Sequence, residues 1–160
     1  MAKPTSERVR ELLIYEPDTG LFRNRVQRGS RAPAGAVTGT PNSQGYVNLW
    51  IDGECYSAHA VAWLYMTGAW PVHQIDHKDL VRSNTKWGNL REATWSQNHA
   101  NKPTRSMHGL KGVSRTGKKW QAQFKHLGRR YVMNGFLTAE EAHAAYMTKA
   151  REVHGDFVRA

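Results

Sequence analysis

The stretch of residues 72–103 constrains the fold most, because it carries the pattern of two short strands followed by a capped helix. Apolar residues lead into Asp76 and His77, and the chain returns at Asn89 after a polar loop. Thr94, with a glutamine three residues later, has the form of a capping box, so a helix begins there and the proline that follows limits it. The sequence therefore predicts a ββα unit.

The same unit carries residue types suited to metal-assisted phosphodiester hydrolysis. Asn89 and Asn98 follow His77 by 12 and 21 residues. The Asp76 carboxylate and the Asn98 carbonyl form an all-oxygen ligand set, which favours one Mg²⁺ or Mn²⁺ ion over zinc. A histidine is mostly neutral at pH 7 and can deprotonate water, and Asn89 could orient its ring through Nδ1–H. Each residue type is also common in turns, so a purely structural role stays open.

The charge distribution indicates a polyanionic partner. The chain has a formal net charge of +10 and an isoelectric point of about 10.0. Residues 102–160 hold 12 Lys and Arg against 4 Asp and Glu, with no acid between Lys102 and Tyr131. A nucleic acid is the first partner to consider. The alternative is a solvated basic face that only keeps the protein in solution.

The basic part predicts three short strands and one helix. Residues 119–125 alternate strictly between apolar and polar types, and Thr138 can cap the helix that follows. The polar face carries Lys, Gln and Arg, which can bind phosphates and base edges in a major groove. An ordinary half-buried sheet is the alternative, and Trp120 could belong to the core or lie against a sugar or base.

The region before residue 72 predicts a mixed helix and strand lead-in. His59 lies in an apolar helix and is expected to be a hydrogen-bonded core histidine. The predicted elements are a helix over residues 4–15, a strand over 21–26, a long mobile loop over 27–44, a hairpin turning at Asp52 and Gly53, and an apolar helix over 58–67.

Cysteine usage and hydropathy exclude several classes. The single cysteine, Cys55, rules out an internal disulfide and a Cys-rich zinc site, and we expect it to be a small buried residue. No apolar run of about 18 residues or secretory signal occurs, so we expect no membrane contact and a cytoplasmic location.

Residues 58–101 resemble the HNH endonuclease family, in the phage homing-endonuclease branch whose last motif residue is Asn. The matching strings are AHAVAW, IDH, NLREAT and QNHAN, and the upstream YEPDTGLF and GYVNLWIDG resemble the usual lead-in of that branch. The resemblance implies that Asp76 and Asn98 bind one divalent metal. It likewise implies that His77 is the general base and that Asn89 orients it.

Two positions depart from the family pattern. The loop after the histidine commonly runs Ile-Asp-Gly-Asp, whereas this chain has Lys78 to Val81 without the glycine. An arginine usually follows the histidine of the apolar helix, where this chain has Ala60. These departures leave the loop conformation and one phosphate contact open.

The C-terminal part resembles the AP2 DNA-binding domain over roughly 50 residues, through GLKGVSR, KWQAQF, a GF pair and TAEEAHAAY. The departure is Asn134 where glycine is usual, although Asn tolerates the same left-handed backbone. The resemblance implies a three-stranded sheet docked on DNA. Its candidate contacts are Arg115, Lys119, Trp120, Gln121, Gln123, Lys125 and Arg130.

Together these patterns predict an α+β protein with a ββα-metal (HNH) nuclease module over residues 1–103 and an AP2-like module over residues 104–160. The expected reaction is metal-dependent hydrolysis of double-stranded DNA to 3′-hydroxyl and 5′-phosphate ends. We expect a phage-encoded nicking or homing enzyme and favour a monomer. The alternatives are an inactive DNA-binding protein that uses the HNH-like part as a scaffold and, less favoured, an RNA binder or ribonuclease.

Overall fold

The computed structural model describes residues 2–104 and 109–159, so residues 105–108 of the predicted AP2-like module lie outside the described residues. Internal contacts divide the chain into a first unit, Met1–Glu92, and a second unit, Ala93–Ala160. The helix capped by Thr94 therefore belongs to the second unit. The functional module limits at residue 103 stay a prediction.

The first unit begins with helix α1, Ser6–Leu12, whose N-cap Thr5 accepts a hydrogen bond from the backbone of Arg8. The predicted helix through residue 15 is wrong at its end, because strand β1 starts at Leu13. Leu13 and Tyr15 alternate inward as strand residues do, with exposed fractions of 0% and 4%. Strand β1 forms an antiparallel sheet with the next two strands. Its members are β1 Leu13–Glu16, β2 Leu21–Asn24 and β3 Val37–Thr38.

A second three-stranded sheet occupies part of the region predicted to be a loop. It comprises β4 Thr40–Pro41, β5 Val47–Ile51 and β6 Glu54–Ser57. The predicted hairpin is confirmed: Asp52 and Gly53 have φ values of 49° and 84°, both left-handed as a two-residue turn of this class needs. The expected loop over residues 27–44 is thus wrong where β3 and β4 form.

Helix α2, Ala58–Thr67, follows β6 directly and ends at Gly68, which takes the left-handed conformation at φ 81°. Both limits of the helix were predicted from the sequence. Its apolar side chains pack with those of α1, β1, β2 and β5 into one hydrophobic core. The largest fully buried apolar residues there are Leu13, Leu49, Ile51, Leu64, Val9 and Val61.

The chain then forms a two-stranded sheet of β7, Gln74–His77, and β8, Leu90–Ala93. Helix α3, Trp95–Asn101, starts immediately afterwards with Thr94 as N-cap and both hydrogen bonds of a capping box present. The predicted order of two strands and a capped helix is therefore observed along the chain. Its assignment as a ββα-metal fold stays a prediction.

The second unit is built on a three-stranded antiparallel sheet covered by helix α4, which has a capping box at Thr138. Gly112 has a φ of 72°, and a Cβ at this position would lie 2.1 Å from the ring of Tyr146, so the helix packs directly against a glycine. The elements are β9 Val113–Thr116, β10 Lys119–His126, β11 Arg129–Phe136 and α4 Ala139–His154.

The protein is therefore a mixed helix and strand protein with small antiparallel sheets, and the AP2-like assignment of the second unit stays a prediction. Over the described ranges no helix is both long and apolar enough to cross a membrane. Cys55 is exposed, so the expectation that it is buried is wrong. Its side chain lies on a short strand at the surface, a position that the sequence does not distinguish from a core position.

Candidate functional site

Asp76 and His77 end strand β7 and are both buried, with exposed fractions of 4% and 5%. A carboxylate this deep needs a partner, since burying an unpaired charge is costly. Arg91 on the paired strand β8 supplies one, because its Nε donates to Asp76 Oδ2 at 2.9 Å. The last two residues of β7 are thus a buried acid and a buried histidine.

The His77 ring lies in a cluster of aromatic side chains. The ring centroid of His59 is 5.1 Å away at a near-perpendicular angle, and that of Tyr46 is 5.9 Å away. The guanidinium of Arg82 lies over the Tyr46 ring at 5.1 Å. The imidazole thus packs among aromatic rings, with one cation beside the cluster.

The protonation of His77 is set mainly by its burial. Burial lowers the pKa of His77 below the ordinary value, and the positive charge of Arg82 acts in the same direction. The carboxylates of Asp79 and Asp76 oppose this effect in part. The imidazole is therefore unprotonated at neutral pH, which is the state that a general base requires.

His59 lies on the apolar helix α2 as predicted, but its hydrogen bonding differs from the prediction. We expected a hydrogen-bonded core histidine, but within residues 2–104 and 109–159 its buried Nδ1 has no hydrogen-bond partner. Burial, and secondarily the neighbouring His77, lowers the pKa of His59 to about 4. His59 thus adds a second neutral imidazole to the candidate site. Its position in AHAVAW, shared with the family pattern, is the one sequence signal that points to it.

The loop after His77 is organised by the carboxylate of Asp79. It accepts hydrogen bonds from the Val81 backbone at 2.8 Å, from Asn84 Nδ2 at 2.6 Å and from Asn89 Nδ2 at 2.9 Å. Burial alone would raise the pKa of Asp79, but these hydrogen bonds hold it below the ordinary value. The loop is therefore closed by an ionised carboxylate.

Leu80 occupies the position at which the family loop commonly has glycine. Its φ is 67°, in the left-handed region that disfavours a branched side chain. The backbone of Leu80 donates to the His77 carbonyl at 3.0 Å, so the turn forms despite this cost. At Lys78–Val81 the residue type therefore differs from the family pattern, but the turn contains one residue in the left-handed conformation.

Asn89 supports the same loop through its side-chain oxygen, its side-chain nitrogen and its backbone carbonyl. Its Oδ1 accepts from the Asp79 backbone at 3.1 Å, its Nδ2 also donates to the Asn84 carbonyl at 2.9 Å, and its own carbonyl accepts from the Lys78 backbone at 3.0 Å. This arrangement differs from the predicted hydrogen bond between the Asn89 amide and the His77 ring. An orienting role for Asn89 would act through the backbone next to His77.

A clasp joins the same loop to the N-terminal strands. Tyr15 Oη donates to the Thr85 carbonyl at 2.5 Å, and Thr85 Oγ1 donates to the Gly20 carbonyl at 2.6 Å. A Cβ at Gly20 would lie 2.5 Å from the Lys86 nitrogen, so the chains touch backbone to backbone. The loop beside His77 therefore depends on residues far away in the sequence.

Asn98, the predicted second oxygen ligand, lies on α3 in the second unit and is half-buried. Its backbone nitrogen donates to the Thr94 carbonyl at 2.9 Å, in the first turn that the capping box fixes. This agrees with the predicted placement on the helix. Its pairing with Asp76 stays a prediction.

The polar face of the β9–β11 sheet carries a hydrogen-bonded row of side chains. Gln121 and Gln123 donate from Nε2 to Ser114 Oγ at 2.9 and 3.1 Å, and Arg130 Nε donates to Gln123 Oε1 at 3.1 Å. The row crosses all three strands. We call this face, with Lys119, Gln121, Gln123, Lys125 and Arg130, the polar sheet face.

Arg115 and Trp120 lie elsewhere. They are directly paired across β9 and β10, and Trp120 packs against the hydrophobic cluster around Ala122. Paired residues point to the same side of a sheet, so Arg115 projects toward the side of Trp120. Five of the seven predicted DNA contacts thus share one face, and the other two lie on the opposite face.

The family comparison concerns the segment that holds the Asp76–His77 pair. Residues 56–100 match the family model of HNH endonuclease. The match includes α2, the loop closed by Asp79 and most of α3. No curated protein and no solved structure matches the chain. The HNH match supports a nuclease that acts on DNA.

HNH nucleases generally use divalent metal ions, and the donor types of this segment suit such an ion. The described residues contain no group of three or more His, Cys, Asp or Glu side chains able to hold a metal. The buried Asp76 carboxylate is a hard oxygen donor, a type that binds hard divalent cations. Arg91 shares that carboxylate and would compete with an incoming cation.

Proposed function

We propose that this protein is a divalent-metal-dependent DNA endonuclease of the HNH type. The observation that carries the proposal is the buried Asp76–His77 pair at the end of β7, inside the segment that matches the HNH family model. A neutral imidazole beside a carboxylate is the combination that water activation at a phosphodiester needs. The net charge of +10 is consistent with a DNA substrate.

His77 would act as the general base. Its Nε2 takes a proton from a water molecule as the water oxygen attacks phosphorus, the bond to the 3′ oxygen breaks, and the leaving 3′ oxygen takes a proton from solvent water. The products carry a 3′-hydroxyl and a 5′-phosphate. Burial supports this role because it lowers the pKa of His77 and keeps the ring unprotonated. Asn89, through its hydrogen bonds to Asp79 and Lys78, would hold the backbone that follows the base.

Asp76 and Asn98 would hold one divalent ion through a carboxylate and an amide oxygen. Such an ion, when bound, stabilises negative charge on the phosphate and on the leaving oxygen. Arg91 would keep Asp76 extended toward the strand end and limit the charge that is buried without the ion.

The polar sheet face would bind the DNA backbone and reach base edges. Exposed Lys119, Lys125 and Arg130 supply phosphate contacts, and the two glutamines offer amides for adenine. Arg115 and Trp120 remain proposed contacts, although they lie on the opposite face of the sheet. The module limits at residues 1–103 and 104–160 are part of this proposal.

With one HNH site in each chain, a monomer would cut one strand of double-stranded DNA. We propose a nicking or homing role for a phage-encoded enzyme that acts in the cytoplasm of its host. This assignment follows from the resemblance of both segments to phage homing enzymes.

Supercoiled plasmid tests the nuclease directly. Wild-type protein with Mg²⁺ or Mn²⁺ should convert it to the relaxed form, and EDTA should stop the reaction. His77→Ala should be inactive, whereas His73→Ala, a change at an exposed histidine four residues earlier, should not. DNA binding without cleavage by the wild type would instead support the scaffold alternative. A preference for RNA would reject both DNA hypotheses.

A further inference from the structure

A cavity in the second unit lies apart from every residue given a role above except Lys125. Its volume is about 210 Å³, and it is bounded by α3, β10 and the C-terminal half of α4. Five ring-bearing side chains form most of its wall: Trp95, His99, Phe124, Tyr146 and His154. A cavity with this many flat faces favours a flat occupant, because π surfaces stack on one another.

The rings are arranged around the space in defined pairs. Trp95 and His99 lie 4.2 Å apart on one helix face. Phe124 meets Tyr146 and His154 edge-on, with centroid distances of 6.0 and 5.8 Å. Trp95 is 63% exposed and His154 is 5% exposed, so the wall runs from an exposed indole to a buried imidazole.

His154 is a polar residue in the cavity wall, whereas an empty packing defect would have apolar walls. Its Nδ1 is buried and has no hydrogen-bond partner within the described chain, residues 2–104 and 109–159. An unsatisfied buried nitrogen costs free energy unless something fills the need. Burial, together with the charges of His126 and Lys111, lowers the pKa of His154, so its ring is neutral and can either donate or accept a hydrogen bond.

The surroundings indicate which flat molecule the cavity takes. Among the described residues, no acidic side chain lines the cavity, and the exposed Lys125 is part of its wall. Ser96 Oγ adds a second polar atom, 3.5 Å from His126 Nδ1. Aromatic stacking, a polar atom at the inner end and a cation outside match an unpaired nucleobase on its phosphate backbone.

We propose that this cavity binds one unpaired base of a DNA strand, stacked between the Trp95 side and the Phe124–Tyr146 side and hydrogen-bonded to His154. Among the described residues, this site uses none of those proposed to act in hydrolysis and shares only Lys125 with the polar sheet face. Phe124 and Tyr146 belong to the helix-covered side of the sheet. The chain would thus hold a duplex by its backbone and one displaced base in a pocket.

Fluorescence anisotropy in EDTA tests the proposal without any contribution from hydrolysis, so failure of the nuclease proposal leaves it interpretable. The probes are two labelled oligodeoxynucleotides of equal length, one wholly abasic and one with a single central thymine. We expect the full-length wild-type chain to bind the thymine probe roughly 5- to 150-fold more tightly. Equal affinity for the two probes would overturn the proposal.

Variants separate base binding from backbone binding. Trp95→Ala, at an exposed position, and His154→Phe should remove most of the preference for thymine and leave the affinity for the abasic probe unchanged. Leu127→Ala, at an 83% exposed position on the turn after β10, is the matched control and should keep the preference. If Trp95→Ala weakened the binding of both probes equally, Trp95 would contact only the DNA backbone, and the base site would be rejected.

Ala100→Leu distinguishes a ligand site from a simple void. Ala100 lines the cavity and is 7% exposed, so a larger side chain would fill the space. Loss of the thymine preference would support the base site. A higher melting temperature with the preference intact would show an empty packing defect and overturn the proposal.

Discussion

The proposed catalytic residues of the first unit and the proposed duplex contacts of the second unit differ in burial. The first unit buries a few of them deeply, with Asp76 and His77 at 4% and 5% exposure, around one strand end. The second unit spreads cations and amides over the exposed polar sheet face. The buried groups are few, and the role of each depends on the others. Each exposed group contributes a small and nearly independent part of the binding free energy. A single change should therefore abolish the function of the first unit and only weaken that of the second.

The largest expected effect is at Asp76. Asp76→Ala removes the proposed anionic metal ligand, and we expect plasmid nicking to fall by at least about 100-fold, because a bound metal contributes several kcal/mol at the transition state. DNA binding in a gel shift should persist. Asp18→Ala, an exposed acid of the same unit, should retain activity and serves as the control. Full activity of Asp76→Ala would remove Asp76 from the site.

The second effect is a loss of stability in acid through His59. Its pKa of about 4 in the folded chain lies below the value of 6.5 in the unfolded chain, so unfolding takes up protons between these limits. Stability is fully present above pH 6.5 and is lost as pH falls toward 4, by up to about 3 kcal/mol.

Urea unfolding at several pH values measures this loss. His59→Phe should flatten the pH dependence of the free energy of unfolding over this range, and His73→Phe, at an exposed site, should leave it unchanged. Equal pH dependence in wild type and His59→Phe would show that His59 is not held neutral by burial.

A smaller effect is expected at the turn after His77. Leu80→Gly removes the left-handed strain at φ 67°, worth about 1–2 kcal/mol, and adds chain entropy to the unfolded state. We expect the free energy of unfolding to rise by about 0.5–1 kcal/mol in chemical denaturation. The neighbouring Val81→Gly relieves no such strain and should lower it. A destabilised Leu80→Gly would mean that the leucine side chain contributes more packing than its backbone costs.

The smallest effect is expected from one cation of the polar sheet face. Lys125→Ala should weaken DNA binding a few-fold and reduce the slope of log affinity against log salt by about 0.9, one phosphate contact. Arg115→Ala, on the side of Trp120, should change the slope less. Equal slopes for the two variants would show that both sides of the sheet contact DNA.

Local signals in the sequence predicted much of the fold. The capping box at Thr94, the N-cap at Thr138, the Asp52-Gly53 turn and the stop at Gly68 each depend on neighbouring residues, and all were found as expected. The predicted helix end at residue 15 was wrong because antiparallel pairing of β1 with β2 outweighs helical periodicity in the chain after residue 12. Helical periodicity does not report such pairing.

The same distinction between local sequence signals and tertiary contacts applies to the candidate site. The sequence predicted that Asp76 and His77 act together, and the structure places both residues at the buried end of β7. The contact of His59 with His77 and the attachment of Asn89 to the Asp79 loop arise from tertiary packing, so no spacing in the sequence encodes them. The side of the sheet taken by Arg115 depends on the register of β9 against β10.

The contacts of Tyr15 and Gly20 with Thr85 limit which segments of this protein could be transferred by recombination. The segment that matches the family, residues 56–100, takes its loop support and part of its core from residues outside the match. A gene fragment limited to the match would encode the proposed reactive groups without the strands that support their loop. Recombination should therefore transfer this region intact only when the breakpoint lies before the core residue Val9.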